Sequence, residues 1–143
     1  MQRLVENRRI DTCRDNFEIC IVEQNCAEHA LLIDLAVGVD PSIEVIFLDT
    51  QYHFPETLDT LVRVQERYRP NLRVLRPDFP LDDLWQLDTE TCCDRRKVRQ
   101  LETALAGKTA WLSGLRRDDD EGRAGTPIVQ RDRRGLVKVN PIA

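Results

Sequence analysis

Two adjacent cysteines, Cys92 and Cys93, are the residues of this sequence best suited to chemistry. A disulfide between sequence neighbours is strained, so the pair favours thiolate or metal chemistry over a bridge. Cationic residues follow at 95–97, and a helix is predicted to start at Asp94. Both features would favour the thiolate form, which is the nucleophile and the metal ligand of cysteine.

The chain has three other cysteines, at positions 13, 20 and 26. An odd total of five, without the spacing of a secreted disulfide framework, indicates reduced thiols or metal ligands. Iron–sulfur clusters are commonly held by four Cys thiolates, so the adjacent pair alone is too small a set. Cys20 looks like a buried strand residue, and the three have no recognised ligand spacing.

A second candidate is the cationic segment that contains Arg116, Arg117 and Arg123. Guanidinium groups bind phosphate or sulfate oxygens in bidentate fashion, so this loop could form an anion clamp. Residues 118–121 are all acidic, which gives the loop three positive and four negative formal charges. On charge alone, a solvated mixed-charge loop explains the segment as well as a clamp does.

A third candidate is the polar segment 48–57, which follows a predicted strand. Pro55 fits the first turn of a helix, and polar residues before it can cap that helix. Spacing alone favours this structural interpretation. The alternative is the edge of a nucleotide site, although a lone loop histidine such as His53 is more often simply solvated.

These candidates lie among alternating strand and helix signals that begin near Phe17. The signals predict strands at 17–22, 43–48, 72–75 and 110–115, helices at 27–39, 55–68 and 94–105, and a hairpin of 127–129 with 136–139. The pattern predicts one domain, residues 1–143, of the α/β class: a mostly parallel open sheet with helices on both faces. Ligands of such sheets bind beyond the carboxyl ends of the strands, where we place all three candidates.

The composition indicates an ordinary globular domain and argues against some classes of partner. Of the 143 residues, 41% are apolar and 32% charged, and the formal charge of -4 argues against nucleic acid as a partner. The N-terminus lacks the apolar core of a secretory signal, and the apolar stretch 30–39 is too short to span a bilayer. We therefore expect a cytoplasmic protein without a membrane partner.

Several blocks of the sequence, taken in order, resemble the assimilatory sulfonucleotide reductases, the adenylyl-sulfate and phosphoadenylyl-sulfate reductase family. The blocks are VIFLDTQYHFPET at 45–57, CCDRRKV at 92–98, AWLSGLRR at 110–117 with RA at 123–124, and LVKVNP at 136–141. The similarity runs from about Phe17 to the last residue. It implies an adenine-nucleotide α-hydrolase-like fold, in which the sulfonucleotide lies over the carboxyl ends of the strands.

The resemblance also implies a nucleotide site. By position, Leu48 and Thr50 would line the nucleotide pocket, and Gly114 would let the backbone approach the nucleotide. The residues expected to hold its anionic groups are Arg116, Arg117 and Arg123. The cysteine pair marks the branch of the family that mostly uses adenylyl sulfate, so the resemblance favours adenylyl sulfate over phosphoadenylyl sulfate.

Redox chemistry is the third implication of the resemblance. Cys92 and Cys93 would be two of the four ligands of a 4Fe-4S cluster, and Lys97 would link cluster and substrate electrostatically. In the family, a C-terminal cysteine attacks the substrate sulfur, and thioredoxin then releases sulfite. No cysteine follows Cys93, so we expect this chain to lack the nucleophile and the second ligand pair, and not to assemble the cluster alone.

Two departures from the family concern anion binding. The phosphate loop, residues 23–28, has Gln24 and acidic residues where the family has a serine and a glycine-rich turn, and these side chains hinder close backbone approach. The acidic run 118–121 adds negative charge where an anion would bind. An alternative function is therefore a degenerate adenine-nucleotide-binding module without redox activity. The chain end at 141–143 could also leave an apolar face uncovered, which predicts a homo-oligomer.

Overall fold

In the computed structural model, which describes residues 19–23, 29–118 and 121–143, six strands form one sheet. They are β1 (Ile19–Glu23), β2 (Glu44–Leu48), β3 (Asn71–Leu75), β4 (Ala110–Ser113), β5 (Val129–Arg131) and β6 (Val137–Val139). Their order across the sheet is β3-β2-β1-β4-β6-β5. All neighbours are parallel except β5 and β6, which form an antiparallel hairpin at one edge. The predicted mostly parallel sheet and the hairpin are confirmed.

The helices are α1 (His29–Val39), α2 (Pro55–Tyr68), α3 (Leu84–Leu87), α4 (Thr89–Cys93) and α5 (Arg99–Leu105). A π-helical turn (Asp94–Val98) joins α4 to α5, and a 3-10 turn covers Glu121–Arg123. The bounds of α2 match the prediction, because Pro55 occupies its first turn and Arg69 ends it with a left-handed φ of 45°. Within the described ranges, no helix has the length and apolar character needed to cross a membrane.

Two apolar clusters pack on opposite faces of the sheet. The first combines α1, α2 and β2 and consists of Leu32, Ile33, Ala36, Val45 and Val64. The second combines α5, β2 and β4 and consists of Ile46, Leu48, Ala104, Leu105 and Trp111. Because β2 contributes to both, it is buried on both faces, which explains its unbroken apolar run. The predicted helices on both faces are confirmed.

The helical segment that carries the cysteine pair begins earlier than predicted. Asp88 caps α4, since its carboxylate accepts the backbone N–H of Thr91 at 3.0 Å. Helical structure then continues through the π-helical turn into α5. The predicted helix start at Asp94 was wrong. The cysteine pair therefore does not lie just before a helix N-terminus, as the sequence had suggested. Cys92 donates its own N–H to the Asp88 carbonyl at 3.0 Å, so it lies inside the helix.

Replacing Asp88 with alanine is expected to lower the melting temperature by about 3–6 °C, because α4 loses its cap. The hydrogen bonds from Thr91 hold the pKa of Asp88 below its usual value. The cap therefore stabilises the fold at neutral pH, and this contribution is lost as the pH falls through that lowered pKa. Thermal unfolding followed by circular dichroism should show a difference from wild type at neutral pH that shrinks in acid. Asp83→Ala is the control, because Asp83 precedes α3 without a side-chain cap bond.

Candidate functional site

Asp49 follows β2 directly and joins the carboxyl ends of β2 and β3. It is 5% exposed, and its Oδ2 accepts hydrogen bonds from Nε and Nη2 of Arg76 at 2.8 and 2.6 Å. Its Oδ1 accepts the N–H of Gln51 at 2.8 Å, and its own N–H donates to the Leu75 carbonyl at 2.8 Å. Gln51 has a φ of 70°, in the left-handed region that side chains rarely adopt. Asp49 thus holds a strained loop in place.

His53 braces the same loop. Its Nε2 lies 2.9 Å from the Leu48 carbonyl oxygen, and its ring centroid lies 4.9 Å from that of Phe47. The Nε2 atom also lies 3.4 Å from the Thr50 backbone nitrogen, so both contacts hold the loop against the ring. The expectation that His53 is simply solvated was therefore wrong, because the residue is half-buried and has a partner. An open cleft of about 250 Å³ is lined by Asp49, Gln51, His53, Leu58, Arg76 and Leu81.

Leu48 and Thr50, the residues expected to line a nucleotide pocket, differ in what they offer. Leu48 is fully buried in the apolar core, and its carbonyl oxygen is the one that lies 2.9 Å from Nε2 of His53. Thr50 is half-buried, and its hydroxyl oxygen accepts the N–H of Tyr52 at 3.3 Å. Its carbonyl lies 3.4 Å from Nη1 of Arg96. The roles of Leu48 and Thr50 toward a nucleotide stay predictions.

The sheet order brings the loops after β2 and β4 to the same edge, on either side of β1. Gly114, expected to let the backbone approach a nucleotide, is buried directly after β4. The loop after β1, which contains Gln24, lies outside the described residues. The described part therefore supplies two of the three loops assigned to a nucleotide site.

The three arginines expected to bind anions all have partners in the structure. Arg116 donates from Nε to Oδ1 of Asp118 at 2.8 Å and makes a second contact from Nη2 to Oδ2. The hydrogen bond from Arg116 holds the pKa of Asp118 below its usual value. Arg117 donates from Nε to the Thr126 carbonyl at 2.8 Å. The mixed-charge interpretation thus describes Arg116 here, and an anion would have to displace Asp118.

Arg123 lies in the 3-10 turn and is exposed. It is close enough to β6 for its charge to affect Lys138, whose pKa is lowered mainly by burial and further by Arg123. The Lys138 ammonium lies 4.7 Å from the ring centroid of Trp111, a cation–π contact between β6 and β4. Arg123 is therefore placed on the β4–β6 side of the sheet.

Among the residues that the structure describes, Cys92 and Cys93 form no disulfide, and they differ in exposure: Cys92 is buried and Cys93 is exposed. Lys97 is half-buried in the π-helical turn that follows. Across residues 19–23, 29–118 and 121–143, no group of three or more His, Cys, Asp or Glu side chains is placed to hold a metal. Because a 4Fe-4S cluster commonly takes four thiolates, this pair does not fit the cluster without further ligands.

Arg96 is a buried residue of this region that sequence patterns did not single out. On sequence it counted only among the cations beside the cysteine pair. In the structure it is 1% exposed, and its guanidinium reaches the loops after β2 and β3. The available signal was its position four residues after Cys92, since residues at that spacing share a helix face.

The sequence is similar to a known protein family along most of its length. Residues 22–143 match the family described as phosphoadenosine phosphosulfate reductase domain. The adenosine 5'-phosphosulfate reductase 1 of Bacillus subtilis is 44% identical over 126 residues, which cover 80% of this chain and 54% of that protein. The adenosine 5'-phosphosulfate reductase of Streptomyces coelicolor is 43% identical over 125 residues, covering 81% and 53%. The chain spans about half the length of these curated relatives.

A solved structure shares the fold. The crystal structure of phosphoadenylyl-sulfate reductase from Candida auris, a phosphate complex, has a TM-score of 0.74 at 22% sequence identity. The match covers 87% of this chain and 65% of that one. At this identity the likeness concerns the fold alone, and it confirms the predicted adenine-nucleotide α-hydrolase-like class.

Proposed function

Because this chain belongs to the phosphoadenosine phosphosulfate reductase domain family, we propose that it is the nucleotide-binding part of a reductase that converts adenylyl sulfate to sulfite and AMP. The observation that carries the proposal is the 43–44% identity to reductases of adenosine 5'-phosphosulfate, the same compound, along 80–81% of the chain. These relatives favour adenylyl sulfate over phosphoadenylyl sulfate as the substrate.

The proposed reaction breaks the bond between the sulfur and the oxygen that bridges it to phosphorus. A cysteine thiolate outside these 143 residues attacks the sulfur, forms a sulfur–sulfur bond and releases AMP. Thioredoxin, a dithiol, then supplies two electrons that break this sulfur–sulfur bond: sulfite leaves, the cysteine returns to its thiol form, and thioredoxin becomes a disulfide. We place this chemistry in the cytoplasm, and the share of this chain is to bind and orient the nucleotide.

Binding is assigned to the edge where the loops after β2 and β4 meet. The backbone at Leu48 and Thr50 lies on one side of this edge, and Gly114 lies on the other. The phosphate and sulfate groups are assigned to Arg116, Arg117 and Arg123. The proposal is supported by the sheet order, which flanks β1 with β2 and β4.

We further assign Cys92 and Cys93 to two of the four ligand positions of a 4Fe-4S cluster in the assembled reductase, with Lys97 as an electrostatic link to the substrate. Cys93 is exposed and can take such a role as it stands. Cys92 is buried, so it would have to become accessible. The other two thiolates would come from outside these 143 residues.

A second candidate function is a degenerate adenine-nucleotide-binding module without redox chemistry. The pairing of Arg116 with Asp118 favours this second candidate, because the Asp118 carboxylate binds the guanidinium that would otherwise bind the anion. A module of this kind would keep adenosine contacts and lose much of its affinity for the sulfate group.

Calorimetric titration of the purified chain with adenylyl sulfate and AMP tests both candidates. The reductase proposal predicts tighter binding of adenylyl sulfate, whose sulfate adds a charged group for the arginines. The module predicts equal affinities for the two ligands. Absence of binding at about millimolar concentrations of both nucleotides would contradict both candidates. Adding the separately produced C-terminal half of the Bacillus subtilis relative, with thioredoxin, should yield sulfite under the reductase proposal alone.

Replacing Asp118 with asparagine is expected to tighten AMP binding by about three- to tenfold, because the variant removes a negative charge that competes with the phosphate for Arg116. The lowered pKa of Asp118 keeps its carboxylate charged in mild acid, so lowering the pH slightly below neutral should not tighten binding to wild type. The control is Glu121→Gln, which removes the same charge from the same loop. Equal tightening by both variants would show that net charge, and not the Arg116 contact, limits affinity.

A further inference from the structure

We infer that Arg96 is a positioning residue that holds the helical segment bearing Cys92 and Cys93 against the loops after β2 and β3. Arg96 lies in the π-helical turn and is 1% exposed, although its guanidinium carries a full charge. A buried charge is stable only where partners compensate it, and the two loops supply them. The inference does not depend on the proposed function. We call Arg96 and its partners in these loops the Arg96 anchor.

The anchor bonds to both loops through the two terminal nitrogens of the guanidinium. Nη1 of Arg96 donates to the side-chain oxygen of Gln51 at 2.6 Å and lies 3.4 Å from the Thr50 carbonyl, both after β2. Nη2 donates to the Pro80 carbonyl at 2.9 Å and pairs with Oδ1 of Asp82 at 3.2 Å, both after β3. In the described part of the chain, Nε has no acceptor. The link therefore runs through Nη1 and Nη2.

Two aromatic rings complete the surroundings of the guanidinium. Its central carbon lies 4.7 Å from the ring centroid of Tyr52 and 4.7 Å from that of Phe79, one ring from each loop. The Tyr52 hydroxyl also donates to the Asp82 carbonyl, which joins the loops to each other. These contacts suit a flat, forked guanidinium. The ammonium of a lysine reproduces neither the stacking nor the paired bonds.

The anchor determines which thiol of the pair is buried. Cys92 lies about one helical turn before Arg96, on the same side of the segment, and is 7% exposed. Cys93, the next residue, is exposed. Loosening the anchor lets the segment move away from the loops, which uncovers Cys92. The accessibility of Cys92 therefore reports whether the Arg96 anchor is intact, and no ligand is needed for the measurement.

Arg96→Lys tests the anchor, and the readout is the rate at which iodoacetamide alkylates Cys92 and Cys93, resolved by peptide mass spectrometry. We expect the variant to raise the Cys92 rate about tenfold and to leave the Cys93 rate unchanged. The matched control is Arg95→Lys, because Arg95 stacks on Phe79 at 4.3 Å, and it should change the Cys92 rate by less than about twofold. A folded Arg96→Lys protein with the wild-type Cys92 rate would overturn the inference.

Loss of overall stability must be separated from movement of the segment. Val64→Ala serves this purpose, because Val64 packs in α2 on the opposite face of the sheet. The urea midpoints of Val64→Ala and Arg96→Lys measure how much stability each variant loses, so that their Cys92 alkylation rates can be compared at equal stability. If Val64→Ala raises the Cys92 rate as much as Arg96→Lys does at equal stability, the anchor is refuted. A smaller rise supports it.

If Arg96→Lys does not fold, variants on the loop side decide. Gln51→Ala removes the acceptor of Nη1, and Asp82→Asn removes the charge that faces Nη2. Each should raise the Cys92 rate by about two- to fivefold, since each removes one of the anchor's contacts. Wild-type Cys92 rates in both variants would overturn the inference.

Discussion

Replacing Phe47 with alanine is expected to lower the free energy of unfolding by about 3–5 kcal/mol, the usual cost of deleting a buried aromatic ring. Phe47 is 1% exposed and lies in β2, between β1 and β3. Its ring also packs against His53, so the variant removes a support of the loop after β2. Equilibrium unfolding in urea measures the loss.

Phe54→Ala is the matched control for this experiment. Phe54 follows β2 by only a few residues but is 76% exposed, so its removal should change the free energy of unfolding by less than about 0.5 kcal/mol. Similar losses for the two variants would contradict the burial of Phe47. Nucleotide binding should also weaken more in the Phe47 variant, because the loop after β2 is the one that lost its support.

Asp49→Ala is expected to lower the free energy of unfolding by about 2–4 kcal/mol, because it leaves the partly buried N–H of Gln51 and the Arg76 guanidinium without their acceptor. The estimate is below that for a fully buried ion pair, since the Arg76 side chain is 63% exposed. Asp49→Asn keeps the shape and one acceptor oxygen and should lose less. Urea unfolding measures both variants, with the exposed residue Asp78 replaced by alanine as the control.

High salt distinguishes the two contributions of Asp49. Screening weakens the contact with the exposed Arg76 guanidinium but leaves the bond to the Gln51 N–H in place. The cost of Asp49→Ala should therefore fall only partly in high salt. A cost that vanishes entirely would mean that the bond to Gln51 contributes nothing to the loop.

Strong local patterns made most of the fold predictable. The apolar run of β2 indicates a strand covered on both faces, and Pro55 marks the start of α2. The end of β4 was off by two residues, because the apolar pattern continues to Leu115 past the last paired residue. The position of β5 was also off by two residues, because the polar residues Gln130 and Arg131 take part in the pairing. The start of α4 was missed, because its signal is a single capping carboxylate at Asp88.

The candidate site was less predictable, because partners distant in sequence decide it. Arg96 is a charged helix residue, a type that is ordinarily exposed to solvent. Its burial depends on rings and carbonyls in two other loops. Arg116 could be assigned to an anion or to the acidic run by charge alone, and the geometry pairs it with Asp118. The loop that contains Gln24 lies outside the described residues, so its effect on phosphate binding stays a prediction.

The position of β1 between β2 and β4 also sets the order in which the sheet can close during synthesis. β1 pairs on one side with β2, which follows soon along the chain, and on the other with β4, where Ile19 lies opposite Ala110. During synthesis on the ribosome, β1 can pair with β2 early. It can pair with β4 only after residues 110–113 have emerged. During that interval the backbone groups along the edge of β1 that faces β4 are unpaired, and another strand could pair with them in place of β4.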